Sequence, residues 1–427
     1  MNRRQLLKTM GAASAAVGFG LHMPLVRAMD YTGRLFVFIQ AEGAWDPTSF
    51  CDPKANVPGE AVINHWAETA SIQQAGNIPY APFAGNQAFF DKYYDRMLVI
   101  NGVDAQTNSH TVGVVHNWSG RVSEGFPTMT ALLAAHFAPT AAMSYLNFGG
   151  YSQTAGVTRY TRIDDPLQVN NIAYPNQEQS DPLRTYLEPA DWQLLRGYRD
   201  NQLANLIAEP NQMPRSSRNR SYLQSAFGSA TDLREFAALI PPENQLQQPE
   251  QFLDFWSTLR RQAQIAMLAF KAGVSVSADL YLGGFDTHQN HDRDHEPLLA
   301  NLTSGIDYLW DYAELQGMAD RLVVVVASDF ARTPLYNADD GKDHWPIGSV
   351  VVMEKNQPWT NRVVGETDGG HNAFMINPAT LLRDDVNGTI IYPKHVHKAL
   401  RSYLGIGAAP VTTPFPFNNT EDFAFFG

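Results

Sequence analysis

The chain has 427 residues, of which 17% are charged, and a formal net charge of −12. That length carries one large α/β domain or two smaller ones, and the acidic balance argues against any nucleic-acid partner. A single cysteine, Cys51, excludes an internal disulfide, so the fold must rest on its core.

Residues 1–28 open on Arg3-Arg4 and Leu6-Leu7-Lys8, continue through a weakly apolar Gly/Ala-rich stretch and end on Val26-Arg27-Ala28. The pattern predicts a twin-arginine export signal cleaved after Ala28. It implies engagement of the twin-arginine translocation machinery and a periplasmic or otherwise exported protein. Gly11 to Leu21 is too short and too Gly-rich to span a bilayer, and no other stretch is long enough, so no stable membrane span is expected.

The mature part opens with a buried-strand pattern at 34–40 that runs out into Ala41 to Asp46. A second strand, 97–102, delivers Asp104, Thr107, Ser109 and His110. A helix at 127–137 and a strand at 143–148 come next. Between 150 and 274 the alternation gives way to long amphipathic segments at 181–208, 217–239 and 249–272, which predict a helical cap insertion. The strand 277–282 then delivers Asp286 and His288, with His291, Asp292, Asp294 and His295 close behind and a helix expected at 296–316. The strand 321–328 ends on Asp329, and Asp343-His344 comes before a strand at 348–354 and a helix at 393–404. Strands alternating with helices predict an α/β fold: a mostly parallel central sheet flanked by helices, forming one domain over 29–427 with 150–274 as the cap.

An acid after a strand is often a helix cap or turn residue. The repeated pairing of acids with histidines at strand exits carries the other reading: in a parallel sheet those exits open on one edge, where ligands bind. Imidazole suits zinc or manganese and carboxylates suit harder cations, so one or two divalent metal ions are expected. Ser109, at the start of a helix-like stretch, is positioned to serve as a nucleophile beside such a cation. Gly150-Tyr151-Ser152-Gln153-Thr154 lacks the closing glycine of a serine-hydrolase elbow, and neither a phosphate-binding loop nor a dinucleotide fingerprint is present.

Trp45-Asp46, Ser109-His110, GGFDTH at 283–288 and ASDFART with KDHW at 327–345, together with the NRRQLLK leader, resemble a known family. It is the twin-arginine-exported family labelled domain of unknown function 1501, in the alkaline-phosphatase-like superfamily of phosphatases, sulfatases and metal-dependent mutases. The resemblance implies a periplasmic metal-dependent hydrolase of phosphate or sulfate esters with a Ser/Thr nucleophile. Ser109 and His110 stand as the catalytic pair. Asp46, Ser109 and Asp329 would touch one cation, and Asp286, His288 and His344 the other. The superfamily's Asp-His pair is Asp329-Phe330 here, with His110 or His371 as replacement ligands, and Asp286-Thr287-His288 is tighter than the usual Asp-x-x-x-His, which leaves His291 as an alternative. The contrasting expectation is a non-catalytic envelope protein that keeps the fold to bind a glycan, a polymer or another protein.

Overall fold

Leu35–Ala41, strand β1, is buried along its whole length. Such a run has to lie inside a sheet covered on both faces, and the alternation of its side chains shows how. Leu35, Val37 and Ile39 enter one hydrophobic core, while Phe36 and Phe38 enter a second on the opposite face. The computed structural model describes residues 31–427 apart from 164, 179, 182, 211 and 254. The signal expected at 1–28 lies outside the described residues.

The other strands of this sheet are β2 (Met97–Asp104), β3 (Tyr145–Asn147), β4 (Tyr160–Arg162), β5 (Ser277–Leu282), β6 (Leu322–Ser328), β7 (Ile347–Glu354) and β8 (Arg362–Val364). They form an eight-stranded sheet in the order β8-β2-β7-β6-β1-β5-β3-β4. All run parallel except β7, which is antiparallel to both of its neighbours. The short edge strands β4 and β8 carry too little alternation to be read from sequence.

The helices are α1 (Asn86–Tyr93), α2 (His110–Ser119), α3 (Met129–Phe137), α4 (Leu167–Ala173), α5 (Pro189–Ala208), α6 (Pro214–Gly228), α7 (Ala230–Leu239), α8 (Leu259–Lys271), α9 (His291–Leu315) and α10 (Pro393–Tyr403). Residues of α1, α8 and α9 fill the first core, and residues of α2, α3 and α10 the second, which gives three layers. The helix α8, inside the stretch read as a cap, contributes Leu259, Ala263 and Leu268 to the first core and so packs within these layers. Among the described residues no helix is long and apolar enough to cross a membrane.

The helix expected at 296–316 begins at His291, because Asp292 and Asp294 in its first turn complement the partial positive charge of a helix N-terminus. His291 and His295 therefore both lie on α9. The N-terminus of α3 is set by Thr128, whose hydroxyl accepts from Ala131 N–H at 3.2 Å.

Register decides where the loops emerge. Ala41 pairs with Ser328 on one side and Leu282 on the other, so the carboxyl ends of β1, β5 and β6 stop level. The reversed β7 begins beside the end of β2, with Ile347 opposite Asp104. The segment entering β7 thus arrives at the same rim from the opposite direction, and it carries His344.

Candidate metal centre

Four loops meet at that rim. The Nε2 atoms of His110 and His344 lie 3.0 Å apart, and those of His288 and His344 lie 2.9 Å apart. Asp286 Oδ1 is 3.0 Å from His288 Nε2, 3.2 Å from His344 Nε2 and 3.3 Å from His110 Nε2. The Nε2 atoms of His110 and His344 and Asp286 Oδ1 face a common point, and His288 Nε2 lies on the far side of Asp286 and His344.

The opposite ring nitrogens fix the tautomers. His344 Nδ1 donates to the carbonyl oxygen of Asn108 at 2.8 Å, and His288 Nδ1 donates to Asp343 Oδ1 at 2.9 Å. His110 Nδ1 donates to Asp329 Oδ2 in a close contact. With each Nδ1 holding its proton, a neutral ring presents its Nε2 lone pair inward. Bare lone pairs at about 3 Å repel, and a cation among them removes the repulsion. The donor set of His110, Asp286 and His344 fits a divalent metal: two borderline nitrogens and one carboxylate oxygen, all within 4.8 Å of one another, each ring oriented from behind by an oxygen acceptor.

Burial alone would raise the Asp286 carboxyl, but the Arg332 guanidinium, with His110 and His344, holds it at about 2. The bond from Asp329 raises His110, and the bond from His288 lowers Asp343.

Two supports behind the cluster come from backbone and burial. Asp329, 1% exposed, accepts from the N–H groups of Gly43 (3.1 Å) and Ala44 (2.7 Å), which seats the β1 exit loop against the β6 exit. Gly43 is at φ +109, and a Cβ there would come within 2.5 Å of Asp286 N, so only glycine lets these two loops touch. Arg332, fully buried, donates to Ala44 O (2.9 Å), Lys342 O (3.1 Å), Gly43 O and Asp286 Oδ1. It ties the loops after β1, β5 and β6 together. Arg332 lies inside the ASDFART stretch, but a lone arginine there gives no hint of burial.

Of the residues expected at a metal or catalytic site, Asp286, His288 and His344 come together. His110, placed beside Ser109 as a catalytic residue, joins them with its ring. Asp329 stands one bond behind, holding His110. The departure is Asp46. Its carboxylate, fully buried, accepts from Lys342 Nζ (2.7 Å), Ser49 Oγ (3.1 Å) and His291 Nε2 (3.2 Å), in a pocket separate from the four-residue cluster. Lys342 Nζ also donates to Asn64 Oδ1 (3.0 Å) and Thr48 Oγ1 (3.2 Å), so its three donors meet three oxygens. The cation beside Asp46 is thus an ammonium. Burial alone would raise the Asp46 carboxyl, but Lys342 and His291 hold it well below the carboxylate range.

His291 bonds Asp46 instead of entering the cluster, and buried His371 lies against Asp52 at 3.2 Å, so neither alternative ligand is brought in. Phe330 packs on His110 and His344, with ring centroids at 4.7 and 4.9 Å. Ser109 is the exposed N-cap residue of α2, and its side chain makes no capping bond.

A family model described as "Protein of unknown function (DUF1501)" matches residues 34–393. The chain belongs to the DUF1501 family. No curated protein matches it. Among solved structures, the DUF1501 chain is similar to the lipoteichoic acid synthase LtaP from Listeria monocytogenes at 9% identity and a TM-score of 0.38, covering 89% of this chain and 74% of that one. It is similar to the PsFucS1 sulfatase from Pseudoalteromonas sp. at 8% identity and 0.38, covering 97% and 75%. The alkaline phosphatase from the Antarctic bacterium TAB5 matches at 8% identity and 0.33, covering 78% and 94%. Likenesses this low carry no conclusion about chemistry, which has to come from the site of this DUF1501 protein itself.

Proposed function

We propose that this DUF1501 protein is an exported hydrolase of phosphate or sulfate esters that works with one divalent cation, zinc or manganese, held by His110, Asp286 and His344 with His288 beside them. The observation that carries the reading is the convergence of His110 Nε2, His344 Nε2 and Asp286 Oδ1, with contacts of 3.0–3.3 Å among them and His288 Nε2 within 3.0 Å of two of them. A bound divalent ion supplies Lewis acidity toward an ester oxygen. The chain's own part is positional. Ser109 offers an exposed hydroxyl next to His110 in sequence, as the nucleophile. The first N–H groups of α2 favour an anionic group beside it. The ester class rests on the family resemblance and on this pairing of hydroxyl and metal ligands.

Purified protein is expected to contain about one equivalent of divalent metal and to turn over aryl phosphate or sulfate esters. Ser109→Ala should abolish turnover and keep the metal, and His344→Ala should lose both. Metal-free protein that stays metal-free on zinc or manganese addition rejects the reading. Phe330 favours a second reading, since it occupies the place of an expected ligand: a metal-containing envelope protein that binds a glycan or polymer without turnover. Bound metal with no hydrolysis across the ester panel selects it.

Export by the twin-arginine translocation machinery to the periplasm belongs to the same proposal. Replacing Arg3 and Arg4 by lysine should leave the precursor in the cytoplasm.

A further inference from the structure

A cavity of about 550 Å³ lies beside the candidate centre, lined by the residues on either side of His344 in the chain, Asp343 and Trp345. This is the size of an ordinary small-molecule site. Asp343 holds His288 at 2.9 Å, so cavity and centre share a wall. Leu335 and Tyr336 also line it, and Glu60 adds a second carboxylate. No lysine or arginine is among its lining residues.

We infer that this cavity receives an alkylammonium-bearing group, which, on the hydrolase reading, is the part of the substrate that leaves. Asp343, whose Oδ1 accepts from His288 and Asn337, and Glu60 give the lining two carboxylates and no lysine or arginine, a balance that favours a cation over a further phosphate or sulfate. The indole of Trp345 supplies an aromatic face suited to an ammonium carried on carbon. Its ring is held in place, because Nε1 donates to the carbonyl oxygen of His371 at 2.7 Å. Tyr336 is less available: it stacks on His65 at 4.2 Å between centroids and lies 4.9 Å from the buried Lys342 ammonium. The apolar side, Leu335 with Ile63 and Pro334, fits methyl or methylene groups around the charge.

The test compares choline with its neutral isostere 3,3-dimethylbutanol by titration calorimetry on the zinc-supplemented full chain. Choline should bind about tenfold more tightly, a difference of about 1.4 kcal/mol. Glu60→Gln, an exposed position whose change leaves the fold alone, should narrow that preference about two- to fivefold. Trp345→Leu should remove most of it. Equal affinity for the two compounds, or tighter binding of the neutral one, overturns the inference. Turnover of phosphocholine against 3,3-dimethylbutyl phosphate separates this from the hydrolase reading. Choline selectivity without hydrolysis of any ester keeps the cavity assignment and sinks the enzyme, and hydrolysis without ammonium preference does the reverse.

Discussion

Lys342 Nζ and Asp46 Oδ2 lie 2.7 Å apart, and both side chains are fully closed off from solvent. The pair carries its own charge balance, so this side of the rim needs no metal. Each partner is stable in that pocket only while the other is present.

Lys342→Met should therefore destabilise the protein by about 3–5 kcal/mol, because it leaves a buried carboxylate unpaired. Adding Asp46→Asn should restore much of the loss. Urea unfolding of the two variants checks this; equal stability of Lys342→Met and wild type would contradict the buried pair.

Asp329→Asn keeps an oxygen for the N–H groups of Gly43 and Ala44 but turns an amide NH2 toward His110 Nδ1. The ring then has to give up its Nδ1 proton and carry one on Nε2, facing the metal. Zinc affinity should fall roughly 10- to 100-fold with little change in stability. Competition against a chromophoric chelator measures it, and an unchanged affinity would remove Asp329 from its supporting role.

Metal should stabilise the folded chain by mass action. Free zinc at about 100 times its Kd adds about 2.7 kcal/mol, seen as a higher Tm that chelator reverses. In His344→Ala the increment should shrink towards zero. A Tm indifferent to zinc and chelator in the wild type counts against the cluster as a metal site.

A different pH dependence comes from the middle of the sheet. Asp279 on β5 is 1% exposed and accepts a close hydrogen bond from Tyr145 on β3, and burial pushes its carboxyl up to about 7. An unfolded Asp titrates near ~3.9. Between those values the folded state holds a proton that the unfolded state has lost, so stability falls as pH rises. The loss is on the order of 4 kcal/mol across the window. Asp279→Asn keeps an acceptor for Tyr145 and should flatten the slope of Tm between about pH 4 and 7. A wild-type Tm that rises over this range would reverse the sign.

Much of the fold was legible because a fully buried strand has an unmistakable signature. LFVFIQA and LVVVVAS are apolar almost throughout, and only a strand covered on both faces uses such a run. The acids and histidines at the strand exits were legible for the same reason, since the end of a strand fixes where the next few residues emerge. Strands of three residues such as β4 and β8 leave no period to detect, and neither their presence nor the antiparallel direction of β7 could be read.

The sequence by itself determined the sheet and the rim on which polar side chains would gather. How those side chains divide was left to tertiary structure. Asp46 and Asp286 both come after buried strands, yet one faces a buried lysine and the other a buried arginine and three imidazoles. That choice turns on which loops approach within a few ångströms. Periodicity says nothing about it, because contacts between residues hundreds of positions apart are set by register, by the reversal of β7 and by the close approach that Gly43 permits.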